Sequence, residues 1–149
     1  MVTIEELKKF KVFEGLTDAE LENISEIARK EEYEAGKRIF DEKSQAAHLY
    51  TVLKGKVEIK MSADKGRELM RLDMVGPGEI FGWSSVTEPY TLTAAAWTME
   101  KTELLVFNGE VLRDLFKKNN HIGYKVMMRV ASVISSRLRS LSQKFVNSL

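Results

Sequence analysis

Leu49-Tyr50-Thr51-Val52-Leu53-Lys54-Gly55-Lys56-Val57-Glu58-Ile59-Lys60-Met61 consists of two short runs of β-branched, aliphatic and aromatic residues on either side of one glycine. Val57, Ile59 and Met61 alternate with Glu58 and Lys60, which is the period of a half-buried strand, and Gly55 supplies a turn between the two runs. The same texture extends outward from Tyr33 to Phe107, punctuated by Gly36, Gly66, Gly76, Gly78 and Gly82. Strands are predicted over 38–40, 49–53, 56–61, 68–74, 79–81, 91–98 and 102–107. Short strands at such close spacing predict a β-sandwich or barrel.

Helical patterns flank this region. Thr17-Asp18-Ala19-Glu20 has the spacing of a capping box, and Leu21, Ile24, Ile27 and Ala28 fall on one face, predicting a helix over 17–30 behind a short helical piece at 4–10. After the strands, Asn108 can cap a helix whose Val111, Leu112, Leu115 and Phe116 share a face. A longer helix follows, with Ile122, Val126, Val130, Ile134, Leu138, Leu141 and Phe145 at steps of three or four. A stripe of that length predicts a homodimer through the C-terminal helix, unless it packs back on the strands. The expected organisation is one domain over 1–149: N-terminal helices at 1–32, a β-roll at 33–107 and C-terminal helices at 108–149.

Composition narrows the function. The 149 residues are 44% hydrophobic and 30% charged with only 2 prolines, a folded-protein composition. With 0 cysteines, disulfide scaffolds, thiolate nucleophiles and Cys-ligated metal centres are excluded. No apolar run approaches a membrane span, and Met1-Val2-Thr3-Ile4-Glu5-Glu6 lacks the pattern of a signal peptide, so a cytoplasmic protein is expected. Net charge is +1, yet residues 113–149 carry 8 Lys/Arg against Asp114 alone. That basic segment suits phosphates, anionic lipid or an acidic partner, or simply the acidic body of its own chain.

Several catalytic and metal patterns are too weak to stand. His48 and His121 are the only histidines and are far apart, which leaves a cupin-like metal site without ligands and haem with few axial candidates. Ser62-Ala63-Asp64-Lys65 has Ser-x-x-Lys spacing but adjoins Gly66 in an expected hairpin turn, and Gly82-Trp83-Ser84-Ser85-Val86 lacks the closing glycine of a hydrolase elbow. A non-enzymatic protein without a metal or a resident cofactor is expected.

The order of pieces, with Tyr33-Glu34-Ala35-Gly36-Lys37-Arg38-Ile39-Phe40 and Gly78-Glu79-Ile80-Phe81-Gly82, resembles the cyclic nucleotide-binding domain of the catabolite activator (CRP/FNR) type. The resemblance implies a mainly β fold, an antiparallel β jelly roll (double-stranded β-helix) with N-terminal helices and a long C-terminal dimerisation helix. It implies a regulatory, signal-transducing role with a small-molecule effector, a cyclic nucleotide or another compound, held near Phe81, Gly82, Trp83, Ser84, Ser85, Tyr90, Thr91, Leu92 and Thr93, with Leu141 and Ser142 contributed by the last helix. The family's cassette Glu, which accepts from ribose, is replaced by Trp83, and its phosphate-pairing Arg falls among Tyr90, Thr91 and Leu92. Two lost charge-assisted hydrogen bonds at about 1.5–3 kcal/mol each predict cyclic nucleotide affinity weaker by roughly a hundred- to ten-thousand-fold. Arg67 or Arg71 is a candidate replacement cation, and Trp83 with Leu141 suits an apolar or aromatic effector. Two other readings remain open: a ligand-free protein-interaction module, or the sensor half of a transcription regulator whose DNA-binding domain would follow Leu149, so that DNA binding is not expected of these residues.

Overall fold

A computed structural model describes residues 1–63 and 68–149. Eight strands form two four-stranded antiparallel sheets. The first is ordered β1 (Ala28–Tyr33), β8 (Thr102–Asn108), β3 (His48–Lys54), β6 (Ile80–Phe81); the second is β2 (Arg38–Phe40), β7 (Ala95–Thr98), β4 (Val57–Ser62), β5 (Leu69–Val75). Helices α1 (Ile4–Leu7) and α2 (Asp18–Ile27) precede the sheets, and α3 (Gly109–Lys118) and α4 (Asn120–Asn147) follow them.

The β3/β8 pair forms the wall between two cores. Leu104 and Val106 of β8 face the second sheet with Tyr50 and Val52, whereas Leu105 and Phe107 face the helices with Leu49. Both strand faces are buried, which explains why these segments read as nearly continuous apolar runs. On the helix side, Phe13, Ile24, Leu112, Ile122, Val126 and Val130 complete the larger core. Each fully buried Leu or Phe contributes about 1.5–3 kcal/mol by removing apolar surface from water. Gly55 is required at its turn: φ is +99°, and a Cβ there would lie 2.6 Å from the carbonyl oxygen of Lys101.

The fold agrees with the expected jelly roll, with informative local differences. The helix expected over 17–30 ends at Ile27, and the chain continues as strand β1 on the edge of the first sheet. Cross-strand pairing with β8, from Ala28↔Phe107 to Tyr33↔Thr102, overrides the helical spacing of its residues. The strand expected over 91–98 begins only at Ala95. The Asp64, Lys65, Gly66 and Arg67 part of the expected hairpin lies outside the described residues.

Helix α2 starts as anticipated, with the Thr17 hydroxyl accepting from the Glu20 N–H and the Glu20 carboxylate accepting from the Thr17 N–H. Glu20 is buried and also meets His121 Nδ1 at 2.9 Å, joining the start of α2 to the start of α4. The Thr17 N–H, and then His121, hold the Glu20 carboxyl below its ordinary 4.5. A carboxyl with a depressed folded-state pKa stabilises the fold above its unfolded value and loses that contribution as pH falls through the folded one. The stability difference between wild type and Glu20→Gln, measured by urea midpoints, should therefore be full just above pH 4.5 and shrink as pH falls below it.

Candidate functional site: the cleft between the roll and helix α4

Gly82 adopts φ +77° at the end of β6, where a Cβ would lie 2.8 Å from the His48 carbonyl oxygen and 2.9 Å from the Tyr50 ring. That approach turns the chain into a 3-10 turn, Trp83–Ser85, and projects Trp83 towards α4. A cleft of about 540 Å³ opens there. Ile59, Asp73, Glu79, Trp83 and Thr93 line its roll side, and residues 129, 132–133, 136–137 and 140–141 of α4 line the other. Those α4 positions recur at helical steps, so a single helix face closes the cleft.

Arg137 spans this gap. Its Nε lies 2.6 Å from Asp73 Oδ2, its Nη2 donates to the Ile80 carbonyl at 3.1 Å, and its guanidinium carbon sits 4.6 Å from the Trp83 ring centroid. The Arg137 side chain is 16% exposed and that of Asp73 is 36% exposed. Burial lowers the guanidinium pKa, against the opposing pull of the Asp73 and Glu79 carboxylates, and an arginine remains charged throughout. One side chain of α4 thus touches β5, β6 and the turn after β6.

Only some of the residues expected at the site line the cleft. Trp83, Thr93 and Leu141 line the cleft. Phe81 instead belongs to the roll core, stacked on Tyr50 with ring centroids 4.7 Å apart, and Gly82 acts through its backbone. Ser85 is buried, donating to the Gly82 carbonyl at 2.9 Å while its own carbonyl accepts from Arg113 at 2.7 Å. Arg113 also lies over the Tyr90 ring at 4.0 Å, so Ser85 and Tyr90 strap the turn to α3, away from the cleft. Thr91 makes an isolated bridge with Gln45, Leu92 is buried, and neither they nor Ser84 line the cleft among the described residues. Ser142 is exposed and lies outside the lining, whereas Ser136 and Ser140 are part of it, because each helical residue advances about 100° around the axis.

Of the proposed replacement cations, Arg71 closes on Glu58, which Lys60 also meets at 3.1 Å, and Arg67 is outside the described residues. Asp73, Glu79 and the bridging position of Arg137 escaped the sequence reading. A lone acid in the otherwise apolar stretch of β5, Leu72-Asp73-Met74-Val75, was the available signal.

The sequence profile of the cyclic nucleotide-binding domain matches residues 30–119. The chain belongs to the cyclic nucleotide-binding domain family. A crystal structure of a Geobacter metallireducens protein, provisionally described as cyclic nucleotide-binding, is 32% identical, covers 93% of this chain and 99% of its own, and superposes with a TM-score of 0.82. The Thermus thermophilus catabolite activator protein is 27% identical with a TM-score of 0.74, over 91% of this chain and 61% of that one. The CRP-like cAMP-activated global transcriptional regulator of Mycobacterium tuberculosis is 23% identical in an alignment that covers 90% of this chain and 68% of the regulator. Within this family fold, the cleft has the charge pattern that its own residues give it: Asp73 and Glu79 against Arg137, with Arg129 at one end.

Removing either partner of the ion pair exposes the other to an unfavourable site. A double-mutant cycle of Arg137→Ala and Asp73→Ala should give a coupling of about 1–2 kcal/mol in urea denaturation, moderated by the partial exposure of Asp73.

Proposed function

We propose that this chain is a non-catalytic regulatory module that senses a small effector in the cleft between the roll and α4. The carrying observation is that the cleft is walled on one side by the roll and on the other by a single helix, which Arg137 latches to β5, β6 and the turn after β6. An effector that binds one arrangement of α4 better than another shifts the population of that helix by its differential affinity. The family membership supports the regulatory class, and the departed cassette argues that cyclic nucleotides are weak ligands. Trp83 is a donor through its indole N–H and cannot accept from a ribose hydroxyl. The guanidinium beside it, Arg137, is already paired with Asp73 and feels the Glu79 carboxylate as well, so a phosphate entering there competes with Asp73 for it. Calorimetric titration with cyclic AMP and cyclic GMP should show binding no tighter than the high micromolar range. Micromolar or tighter binding would overturn the weak-nucleotide reading.

Signalling needs an output, and α4 supplies a surface for one. Ile122, Val126 and Val130 of the expected stripe are buried against their own chain, whereas Leu138 and Phe145 are 64% and 67% exposed. Steps of four residues drift about 40° each, so a stripe from Ile122 to Leu138 rotates by about 160° and changes partners along the helix. The exposed positions Tyr124, Met128, Ala131, Ser135, Leu138, Ser142 and Phe145 follow alternating steps of four and three, the spacing of a coiled-coil seam. The occupant we propose is a second copy of α4. Sedimentation should show a dimer that Leu138→Asp converts to monomer; an unchanged state would place the contact elsewhere. No helix among the described residues is long and apolar enough to cross a membrane.

A further inference from the structure

The contacts of Arg137 define a subsite with its own chemistry. One wall is the Trp83 ring, at 4.6 Å; one acceptor is the Asp73 carboxylate, at 2.6 Å from Nε; another is the Ile80 carbonyl, at 3.1 Å from Nη2. A second carboxylate, Glu79, lies in the same cleft and acts on the same guanidinium. An aromatic face, a carbonyl and carboxylates are all partners for a cation, since the ring face, the carbonyl oxygen and the carboxylate oxygens each present negative charge. Once the Arg137 head is taken away, the Asp73 carboxylate, the Ile80 carbonyl and the Trp83 ring face leave this end of the cleft attractive to cations.

The cation now filling it is tethered to an element with little else of its own chain to hold it there. Ser136, Leu138, Arg139 and Ser140 around Arg137 are all exposed, and the apolar docking of α4 onto its own chain ends at Val133 and Ile134. Displacing one guanidinium therefore releases this turn of the helix.

We propose that Trp83, Asp73 and the Ile80 carbonyl form a cation-accepting subsite that the chain occupies with its own Arg137. The effector class that operates it is a small guanidinium or ammonium compound, which takes the place of the Arg137 head and frees α4. This deepens the cleft-sensor reading and rests on it for its physiological meaning. The alternative chemistry, an anion read by Arg137, requires the guanidinium to exchange the Asp73 carboxylate for a ligand of the same sign.

The test is chemical rescue. In Arg137→Ala the subsite is vacant, and methylguanidinium chloride is the probe. Since tethered groups act at effective concentrations of millimolar order, the free probe should half-saturate at millimolar to tens of millimolar. At ten times that concentration the melting temperature of Arg137→Ala should be raised by about 2–5 °C relative to the general denaturing shift that the same salt causes in Arg137→Ala/Trp83→Ala. The difference should vanish in Arg137→Ala/Asp73→Asn. Arg137→Met, which keeps the aliphatic stem, serves if the alanine variant folds poorly. Equal shifts in the single and double variants would overturn the subsite, as would stabilisation of the wild type by inorganic phosphate that Arg137→Ala abolishes. The probe reads the subsite without a natural effector, so its failure removes this proposal alone, while nucleotide calorimetry tests the weak-nucleotide reading separately.

Discussion

The contact of Arg137 with Asp73 and Trp83 is the point on which the arrangement of roll and helix turns. Up to Val130, α4 is held by apolar burial, with Ile122, Val126 and Val130 fully enclosed. Beyond Ile134 the helix has no comparable apolar seam with its own chain, and the polar latch is what keeps its next turn over the cleft. A hydrophobic seam is non-directional and tolerant of sliding, whereas a guanidinium fixed by a carboxylate, a carbonyl and a ring has one good position. The first half of α4 therefore contributes stability and the second half carries positional information.

Such an ion pair is not chiefly a source of stability. Desolvating Arg137 costs free energy that its pairing with Asp73 offsets only in part, so the pair selects one arrangement more than it deepens the fold. An interaction of modest net value that becomes costly when half broken suits a switch, because a ligand supplying equivalent contacts exchanges with it at small net cost. The turn after Gly82 fits the same logic, since its Trp83 side chain offers a ring face to α4.

Much of the fold was legible because it is encoded locally. The strands around Gly55, the capping boxes at Thr3 and Thr17 and the Asn108 cap each depend on residues within a few positions of one another, although only the last two caps were read from the sequence. Strand β1 was not legible: Arg29, Lys30, Glu31 and Glu32 carry the charges of an exposed edge, and their conformation is set by β8 far along the chain. The site was half legible. Gly82 and Trp83 announce a turn with an unusual side chain, but the meeting of Asp73 with Arg137 depends on how α4 is rotated when it reaches the roll. That rotation follows from which apolar residues bury first, and the drift of a four-residue step around the helix sends Leu138 outward and Arg137 inward.

Amide hydrogen exchange along α4 tests the latch most directly. In the ligand-free Leu138→Asp monomer, protection should persist through the turn containing Arg137 and fall off only beyond Leu141, whereas with Asp73→Asn added it should collapse from about Ile134 onward while Ile122 to Val130 stay protected. Identical protection profiles in the two proteins would contradict the account, because the second half of α4 would then be held by something other than Arg137.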